Sequence, residues 1–242
     1  MAPIQRPPRF WVLLLAVILP FVVIAGLDLA MRAAPVIDPA LRVESAATLE
    51  SGAKTPIELP TEGWQTRKLP ARPAKSGTRP ASAWFRVEFA APARVEGQWA
   101  VFIENPYANF ALFVNGAFIG DAGPMTSPIP VHRTPLLFRF PAKLLHPGVN
   151  TLEVRIVHPY NFPRLSDAAI GPVEAVVPAY KFAQALRVEV KHATAIVLSV
   201  LAILIGAMSR LRRRDAAYAW FACGILGWAA HIEMILIAQS PI

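Results

Sequence analysis

The chain has 242 residues, 55% of them hydrophobic, and a mean hydropathy of +0.42. A soluble domain is usually about 45–50% apolar, so this composition is typical of a membrane protein. The formal charge is +8, but no basic stripe with interleaved aromatic residues is present, so the charge does not predict nucleic-acid binding. The single cysteine, Cys223, excludes a disulfide framework within the chain and a cysteine-based metal site.

The first apolar run covers residues 10–27, carries no charge and follows Arg6 and Arg9. A cleaved signal peptide and a retained anchor share this pattern. The run exceeds the usual h-region of about 7–15 residues, which favours an anchor. The two arginines place its start inside, because short Lys/Arg-rich segments stay in the cytoplasm. We therefore expect residues 1–27 to be a signal-anchor or transmembrane segment that leads into an extracytoplasmic chain.

Residues 28–59 are rich in Pro, Ala and Thr, and they predict a juxtamembrane linker with room for one early strand. Apolar and polar residues alternate over residues 84–89, which is the period of a half-buried strand. Asn115-Gly116 predicts a type I′ hairpin turn, because that turn needs positive φ at both central positions. Further strands are predicted at residues 99–104, 110–114, 117–119, 136–140 and 151–157, with one helical turn at 141–145. Short strands separated by Gly, Pro and Asn turns favour a mainly β domain, an antiparallel sandwich over residues 60–177.

Two apolar runs near the end of the chain flank a short basic loop. Residues 193–209 and 216–238 are each predicted to cross the membrane, whose hydrocarbon core is about 30 Å thick. The loop between them, residues 210–215, contains the arginines Arg210, Arg212, Arg213 and Arg214. Four arginines in so short a loop are typical of the cytoplasmic side. This orientation places residues 28–191 outside, and a connecting helix at residues 178–192 is expected to run directly into the first span.

Several segments resemble one family of receptors. Residues 82–89, 110–123 and 135–156 read SAWFRVEF, FALFVNGAFIGDAG and PLLFRFPAKLLHPGVNTLEVRI. They resemble the galactose-binding-like jelly roll of β-galactosidase-type glycosidases and of bacterial seven-transmembrane receptors with diverse intracellular signalling modules. Residues 193–238, which include RLRRRDAAYAWFACGILGWAAH, look like the first two helices of the receptors' membrane bundle. Only the receptors place membrane helices directly after the jelly roll, so the resemblance implies a jelly-roll sensing domain.

Receptors of this kind continue through seven bundle helices into an output domain, such as a histidine kinase or a diguanylate cyclase. The sequence contains no phosphoacceptor-histidine helix and no Gly-rich ATP lid, so we expect no enzymatic activity and a truncated or stand-alone sensing half. Glycoside hydrolysis needs two convergent carboxylates. Glu153 is expected on a solvated sheet face, whereas Glu104, which heads a loop, is the acidic residue least easily explained in this way.

Three loops combine aromatic and hydrogen-bonding side chains, as expected of recognition loops at one end of a sandwich. Their rings can stack on a sugar or another apolar face, and their polar groups can pair with hydroxyls or a carboxylate. Alternatively, Asn and Pro form turns there and the arginines are solvated. The candidate ligand-binding residues are Tyr107, Asn109, His132, Arg133, Tyr160, Asn161 and Arg164. The five histidines are scattered along the chain, and neither a metal ion nor a cofactor is predicted.

His231 and Glu233 are the polar residues that stand out in the last apolar run. Ionisable residues in a membrane segment are functional candidates, although a position near the outer interface also explains both. Because they are two residues apart, they cannot share one helical face. Glu233 is available to pair with a further helix of the bundle.

These patterns predict a membrane-anchored input module of a bacterial signal-transduction receptor of the histidine-kinase type. The expected location is the inner membrane, with the main domain in the periplasm. The expected partners are the lipid bilayer, a small-molecule or carbohydrate ligand and a second copy in a homodimer, with no nucleic acid. The alternatives are a membrane-anchored carbohydrate-binding or glycosidase-related protein and a purely structural or assembly partner.

Overall fold

The computed structural model describes residues 32–72, 81–128, 134–160, 163–211 and 216–239, together with Gly26 and Leu29. The chain divides into two compact units, residues 1–36 and 37–242. In the first unit, Gly26, Leu29 and Arg32 have helical backbone. Apart from Gly26, the predicted anchor at residues 1–27 lies outside the described residues.

The second unit contains two antiparallel β-sheets and long apolar helices. The strands are β1 (Ser45–Glu50), β2 (Gln65–Lys68), β3 (Ala81–Ala91), β4 (Gln98–Ile103), β5 (Asn109–Val114), β6 (Ala117–Ala122), β7 (Leu136–Pro141), β8 (Gly148–His158) and β9 (Ala168–Pro172). The larger sheet has the order β2-β1-β3-β8-β5-β6, and the smaller sheet has the order β7-β4-β9. Short 3₁₀ turns lie at Pro39–Leu41, Pro56–Glu58 and Ala142–Leu144. The last of these confirms the helical turn predicted near residues 141–145.

The two sheets share one hydrophobic core. Phe85, Phe110 and Leu152 point inward from the larger sheet, and each is at most 1% exposed. Trp99 and Phe138 of the smaller sheet belong to the same cluster. Side chains from both inner faces therefore fill the space between the sheets, which is how packed antiparallel sheets bury their apolar positions.

The outer face of the larger sheet is also partly covered, by residues 51–64. Trp84 is completely buried there, and its indole nitrogen donates to the Ala53 carbonyl at 3.1 Å. The prediction that Glu153 lies on a solvated face is wrong, because this residue is 7% exposed and its Oε1 lies 3.8 Å from the Nε of Arg86. Burial raises the pKa of the Glu153 carboxyl, and the Arg86 charge partly offsets that effect.

Strand β1 lies within residues 28–59, which the sequence assigns to a linker. It pairs with both β2 and β3, with Thr48 opposite Gln65 on one side and Phe85 on the other. Ala46 and Thr48 are only 2% and 3% exposed. Because β1 consists mainly of small side chains, its inward and outward positions differ little in hydrophobicity, and period-2 alternation does not reveal the strand.

The predicted hairpin is confirmed at Asn115-Gly116. These residues have φ angles of +50° and +79°, and Val114 pairs with Ala117 across the turn. The Asn115 side chain also fixes the neighbouring strand, because its Oδ1 accepts the backbone N–H of Thr151 at 2.9 Å. Asn tolerates positive φ and Gly adopts it freely, so this pair suits the type I′ turn.

Among the described residues after the sheets there are three α-helices: α1 (Val173–Gln184), α2 (Val190–Leu211) and α3 (Ala217–Gln239). A π-helical segment, Ala185–Glu189, joins α1 to α2, so one helix runs on from the last strand. Two stretches, Val173–Arg210 and Ala217–Ile237, are long and apolar enough to cross a membrane. The sequence predicts the connecting helix from residue 178, whereas helical structure begins five residues earlier, directly after β9.

Helix α1 packs on the outer face of the smaller sheet. Val176, Ala179 and Ala183 are buried against this face. The ring of Tyr180 meets the ring of Phe102 edge to face, with centroids 6.1 Å apart. This packing fixes the start of the long helix to the β domain, so the position of α2 depends on how the sheets hold α1.

Candidate functional site

Two loops run side by side at one end of the β domain. The linking loop, residues 104–108, joins β4 to β5, and residues 159–167 join β8 to β9. The last residue of β4 pairs with the first of β9, and the first residue of β5 pairs with the next-to-last of β8. Both ends of the two loops are thus held together by strand pairing. A bridge between Ala71 and Leu165 brings Arg72 to the same place.

A cleft of about 350 Å³ opens between these loops, lined by Arg72, Tyr107, His158 and Arg164. The Arg164 guanidinium carbon lies 5.7 Å from the centre of the Tyr107 ring, within reach of a cation–π interaction. The Nε of Arg164 is buried and has no hydrogen-bond partner among the described residues. The described lining residues include two arginines and a histidine but no carboxylate. The cleft therefore presents positive charge beside an aromatic ring.

His158 lines this cleft and is 9% exposed. Burial lowers the pKa of its imidazole, so the neutral form is favoured at neutral pH. The backbone N–H of Tyr160 donates to His158 Nδ1 at 3.1 Å. That bond assigns the proton of the neutral ring to Nε2, which makes His158 a neutral donor group at the site.

The structure brings together three of the sequence-predicted ligand residues. Tyr107 and Arg164 line the cleft, and Tyr160 lies beside it with its ring centroid 5.8 Å from that of His158. Tyr107 and Tyr160 are 38% and 55% exposed, so their rings are accessible. Asn109 is completely buried, and its amide nitrogen lies 3.4 Å from the Val157 carbonyl, so it belongs to the sheet and not to the loop surface. The other predicted residues, His132, Arg133 and Asn161, lie outside the described residues.

The linking loop is held by an arginine of the long helix. Arg187 lies in the π-helical segment, and its guanidinium donates to the Glu104 carbonyl at 2.8 Å and to the Glu104 carboxylate at 2.9 Å. It also donates to the side-chain oxygen of Asn105. The Arg187 side chain is 29% exposed, so these charge-assisted bonds are partly shielded from water. We refer to this set of contacts as the clamp.

The clamp and the cleft share the same two loops. The backbone N–H of Glu104 donates to the Asp167 carbonyl at 3.0 Å, and that of Asn105 lies 3.3 Å from the hydroxyl oxygen of Ser166. Ser166 is 2% exposed, so this contact is buried. Tyr107 of the cleft is two residues beyond Asn105 of the clamp. The cleft and Arg187 are therefore joined by a few covalent and hydrogen bonds.

A second polar contact joins the two apolar helices. His192 Nδ1 of α2 lies 3.0 Å from the Glu233 carboxylate of α3. The sequence leaves Glu233 for a further helix of the bundle, whereas the structure pairs it with the preceding helix. His231 is exposed, with its ring centroid 5.7 Å from that of Trp228. The two polar residues of the last run thus differ, since one pairs between helices and the other faces outward.

The arginine loop is described only at its first member. Arg210 is exposed in the last turn of α2. Arg212, Arg213 and Arg214 lie outside the described residues. Within the described part of the chain, no group of three or more His, Cys, Asp or Glu side chains is placed to hold a metal ion.

Sequence reasoning missed Arg72, Arg187 and His192 as site residues. Arg187 and Glu104 are 83 residues apart in the chain, and no local pattern signals a contact over such a separation. Arg72 lies in a Pro- and Arg-rich stretch in which the sequence predicts no strand. His192 offered one signal, because a histidine at the start of an apolar run calls for a polar partner on the neighbouring helix.

No family model and no curated protein matches this chain. Among solved structures, a GH2 β-galacturonidase from Eisenbergiella tayi bound to glycerol is similar over 52% of this chain, at 14% identity and a TM-score of 0.39. A β-glucuronidase from Ruminococcus gnavus in complex with D-glucaro 1,5-lactone is similar over 56%, at 16% identity and a TM-score of 0.42. A β-D-mannosidase from Dictyoglomus thermophilum is similar over 49%, at 16% identity and a TM-score of 0.35. The matches span 22%, 30% and 16% of those chains.

Proposed function

We propose that this chain is the membrane-anchored sensing module of a bacterial signal-transduction receptor, with its β domain as a periplasmic jelly roll. The clamp is the observation that carries the proposal. Arg187 connects the loop beside a ligand-sized cleft to a helix that continues into an apolar stretch long enough to cross a bilayer. In this role the chain detects a stimulus and performs no chemistry of its own.

A sensing role requires two states that a ligand binds unequally and a physical connection between the site and the membrane. The π-helical segment supplies a place for two states, because such segments interrupt regular α-helical bonding and recur at functional sites. Arg187 lies within that segment, so holding or releasing Glu104 and Asn105 acts where the helix is least regular. Helix α2 then carries the difference towards the arginine loop.

The proposed orientation follows from the positions of the arginines. Arg6 and Arg9 precede the first apolar run, and four further arginines lie between the last two runs. If both groups remain in the cytoplasm, residues 28–191 lie outside it. These outer residues contain 18 Lys and Arg against 14 Asp and Glu, a net charge of only +4 over 164 residues. Positive charge is denser in the segments proposed to be inside.

The coupling is tested with the full chain in lipid nanodiscs. Spin labels are placed at two exposed positions through Ile203→Cys on α2 and Leu226→Cys on α3, in a Cys223→Ser background. The Arg187→Gln variant removes the charge of the clamp. Hydrogen bonds to charged groups contribute about 1.5–3 kcal/mol, so we expect the ratio of helix arrangements to change by about tenfold or more. Double electron–electron resonance measures the distance between the two spin labels, so this change is seen as a redistribution of those distances.

The matched control is Lys191→Gln, an equal charge change at an exposed position four residues further along the same helix. It should leave the distance distribution as in the unsubstituted chain. If Arg187→Gln also leaves it unchanged, the clamp does not couple the domain to the helices and the sensing proposal fails. The carbohydrate-binding alternative requires a cleft but no such coupling, so this outcome would favour it.

The orientation is tested separately by cysteine labelling in spheroplasts. Glu62→Cys places a thiol on the exposed surface of the β domain, and Ala216→Cys places one beside the arginine loop. Both are made in the Cys223→Ser background. A membrane-impermeant maleimide should label the first in intact spheroplasts and the second only after lysis. The reverse pattern would place the β domain in the cytoplasm.

A further inference from the structure

We infer that the cleft lined by Arg72, Tyr107, His158 and Arg164 binds a small carboxylate or phosphate group carried on a ring. The functional meaning of this site rests on the proposed function, because the site defines the chemical group that the sensing module recognises. The inference is carried by the geometry of the cleft and by the charge of its lining residues.

The charges favour an anion over a neutral sugar. Arg72 and Arg164 both line the cleft, and among the described residues neither makes an ion pair with a carboxylate. A guanidinium is best satisfied by two oxygens of a carboxylate or phosphate. A ligand that supplies these oxygens completes the site.

The size and shape of the rest of the ligand are limited by the residues that line the cleft. A volume of about 350 Å³ is near the lower end for small-molecule sites. The ring of Tyr107 is 38% exposed and lies beneath the Arg164 guanidinium. A planar ring can stack on Tyr107 while its anionic group reaches Arg164, and His158 Nε2–H is available as a further donor.

Two sources can supply such an anion. The clamp shows that this end of the β domain faces the start of the apolar helix, because Arg187 of that helix holds Glu104 and Asn105. A soluble metabolite can enter from the periplasm, and the phosphate of an anionic lipid can enter from the bilayer surface. Both place the same chemical group on the two arginines, and the experiment below separates them.

The test uses the full chain in nanodiscs of phosphatidylcholine, titrated by calorimetry with three probes that share one ring: benzoate, phenyl phosphate and neutral benzyl alcohol. We expect saturable binding of at least one anion and binding of the alcohol at least about tenfold weaker, because the alcohol lacks the charge-assisted bonds. Equal affinity for the alcohol, or no saturable binding of either anion up to the millimolar range, overturns the inference.

Variants assign the binding to the cleft. Arg164→Gln and Arg72→Gln should each weaken anion binding by about tenfold or more, whereas Arg139→Gln, the same change at an exposed position on β7, should leave it unchanged. Arg72 is exposed, so its replacement keeps the test valid if Arg164→Gln unfolds the domain. Anion affinity that survives both cleft substitutions in folded protein overturns the assignment.

A second set of nanodiscs contains phosphatidylglycerol. If benzoate and phenyl phosphate no longer bind in these discs and binding returns when the anionic lipid is diluted, a lipid headgroup is the occupant of the site. Unchanged binding supports a soluble ligand. The spin-label distances are recorded in the same samples. Anion binding without a change in distance keeps the site and rejects the sensing role, whereas a response to Arg187→Gln without anion binding keeps the coupling and rejects the site.

Discussion

The β domain and the pair of helices α2 and α3 bury opposite kinds of side chain. In the β domain the largest residues are inside, and Trp84, Phe85 and Phe110 have no exposed surface. On the helices large residues face outward, with Ile203 65% and Trp220 77% exposed. Large apolar side chains on the outside are expected when the surrounding solvent is hydrocarbon, and the same arrangement would be costly in water.

Small residues fill the contact between the two helices. Ala195 and Ala202 on α2 and Ala222 and Ala229 on α3 are each at most 5% exposed, and members of each pair are seven residues apart. Small side chains allow helix backbones to approach closely, which stabilises helix pairs in lipid, where apolar burial gives no net gain. The β domain is thus held together by removal of large residues from water, and the helix pair by close fit.

The largest expected effect comes from a core residue of the β domain. Phe110→Ala removes a fully buried ring from the shared core and is expected to cost about 3–5 kcal/mol of unfolding free energy. Ile203→Ala removes an exposed side chain of α2 and should cost less than about 0.5 kcal/mol in a bilayer. Both are measured by denaturant unfolding of the full chain in nanodiscs. Similar losses from the two changes would contradict the contrast between the regions.

The β domain was more predictable from sequence than its connections. Alternation of large apolar with polar residues identified β3 and β8, and Asn115-Gly116 fixed the hairpin between β5 and β6. The sequence leaves room for one early strand but does not locate β1, because its residues are small. It predicts a solvated face for Glu153, although residues 51–64 partly cover that face of the sheet. Local periodicity reports which face of a strand is apolar, but not which distant segment packs on the other face.

The candidate site was predictable only in part, for the same reason. Exposed aromatic and arginine residues in loops pointed to Tyr107, Tyr160 and Arg164, which the structure brings to one cleft or its rim. Asparagine is a common residue in recognition loops, but Asn109 is the first residue of the buried strand β5. The clamp joins residues on a loop and a helix, and this contact depends on how the helix leaves the smaller sheet.

The close fit between the helices predicts an intermediate effect. Ala202→Leu adds a large side chain where the residue is 1% exposed, and overpacking of this kind costs about 1–3 kcal/mol. Ala207→Leu makes the same change at an exposed position of α2 and should be nearly neutral. Thermal unfolding in nanodiscs, followed by circular dichroism, compares the two. If both variants behave alike, α2 and α3 do not pack through their small residues.

A smaller effect is expected from the polar contact between the helices. His192 and Glu233 lie 3.0 Å apart, and side-chain hydrogen bonds between membrane helices contribute about 0.6 kcal/mol on average and at most about 1.7. A double-mutant cycle with His192→Ala and Glu233→Ala should give a coupling energy in that range. The cycle of His231→Ala with Glu233→Ala serves as its control and should give a value near zero, because the two side chains point to different faces. Equal coupling in both cycles would show that the His192 contact is not specific.

The smallest effect concerns the pH dependence of the β domain and singles out His158 of the cleft. Burial lowers the pKa of this imidazole below its ordinary value of 6.5, so the unfolded chain takes up the proton at a higher pH than the folded chain. The stabilising contribution of neutral His158 is therefore present above pH 6.5 and is lost as the pH falls from there towards the folded pKa. Replacement by Asn keeps an acceptor for the Tyr160 backbone amide and does not titrate, so His158→Asn should lose less stability between about pH 7 and about pH 5 than the unsubstituted chain.

The control is His146→Asn, at an exposed histidine of the same domain, which should retain the full pH dependence of stability. Melting temperatures of the three proteins across this pH range measure the difference, and parallel curves would show that His158 is not the buried titrating group.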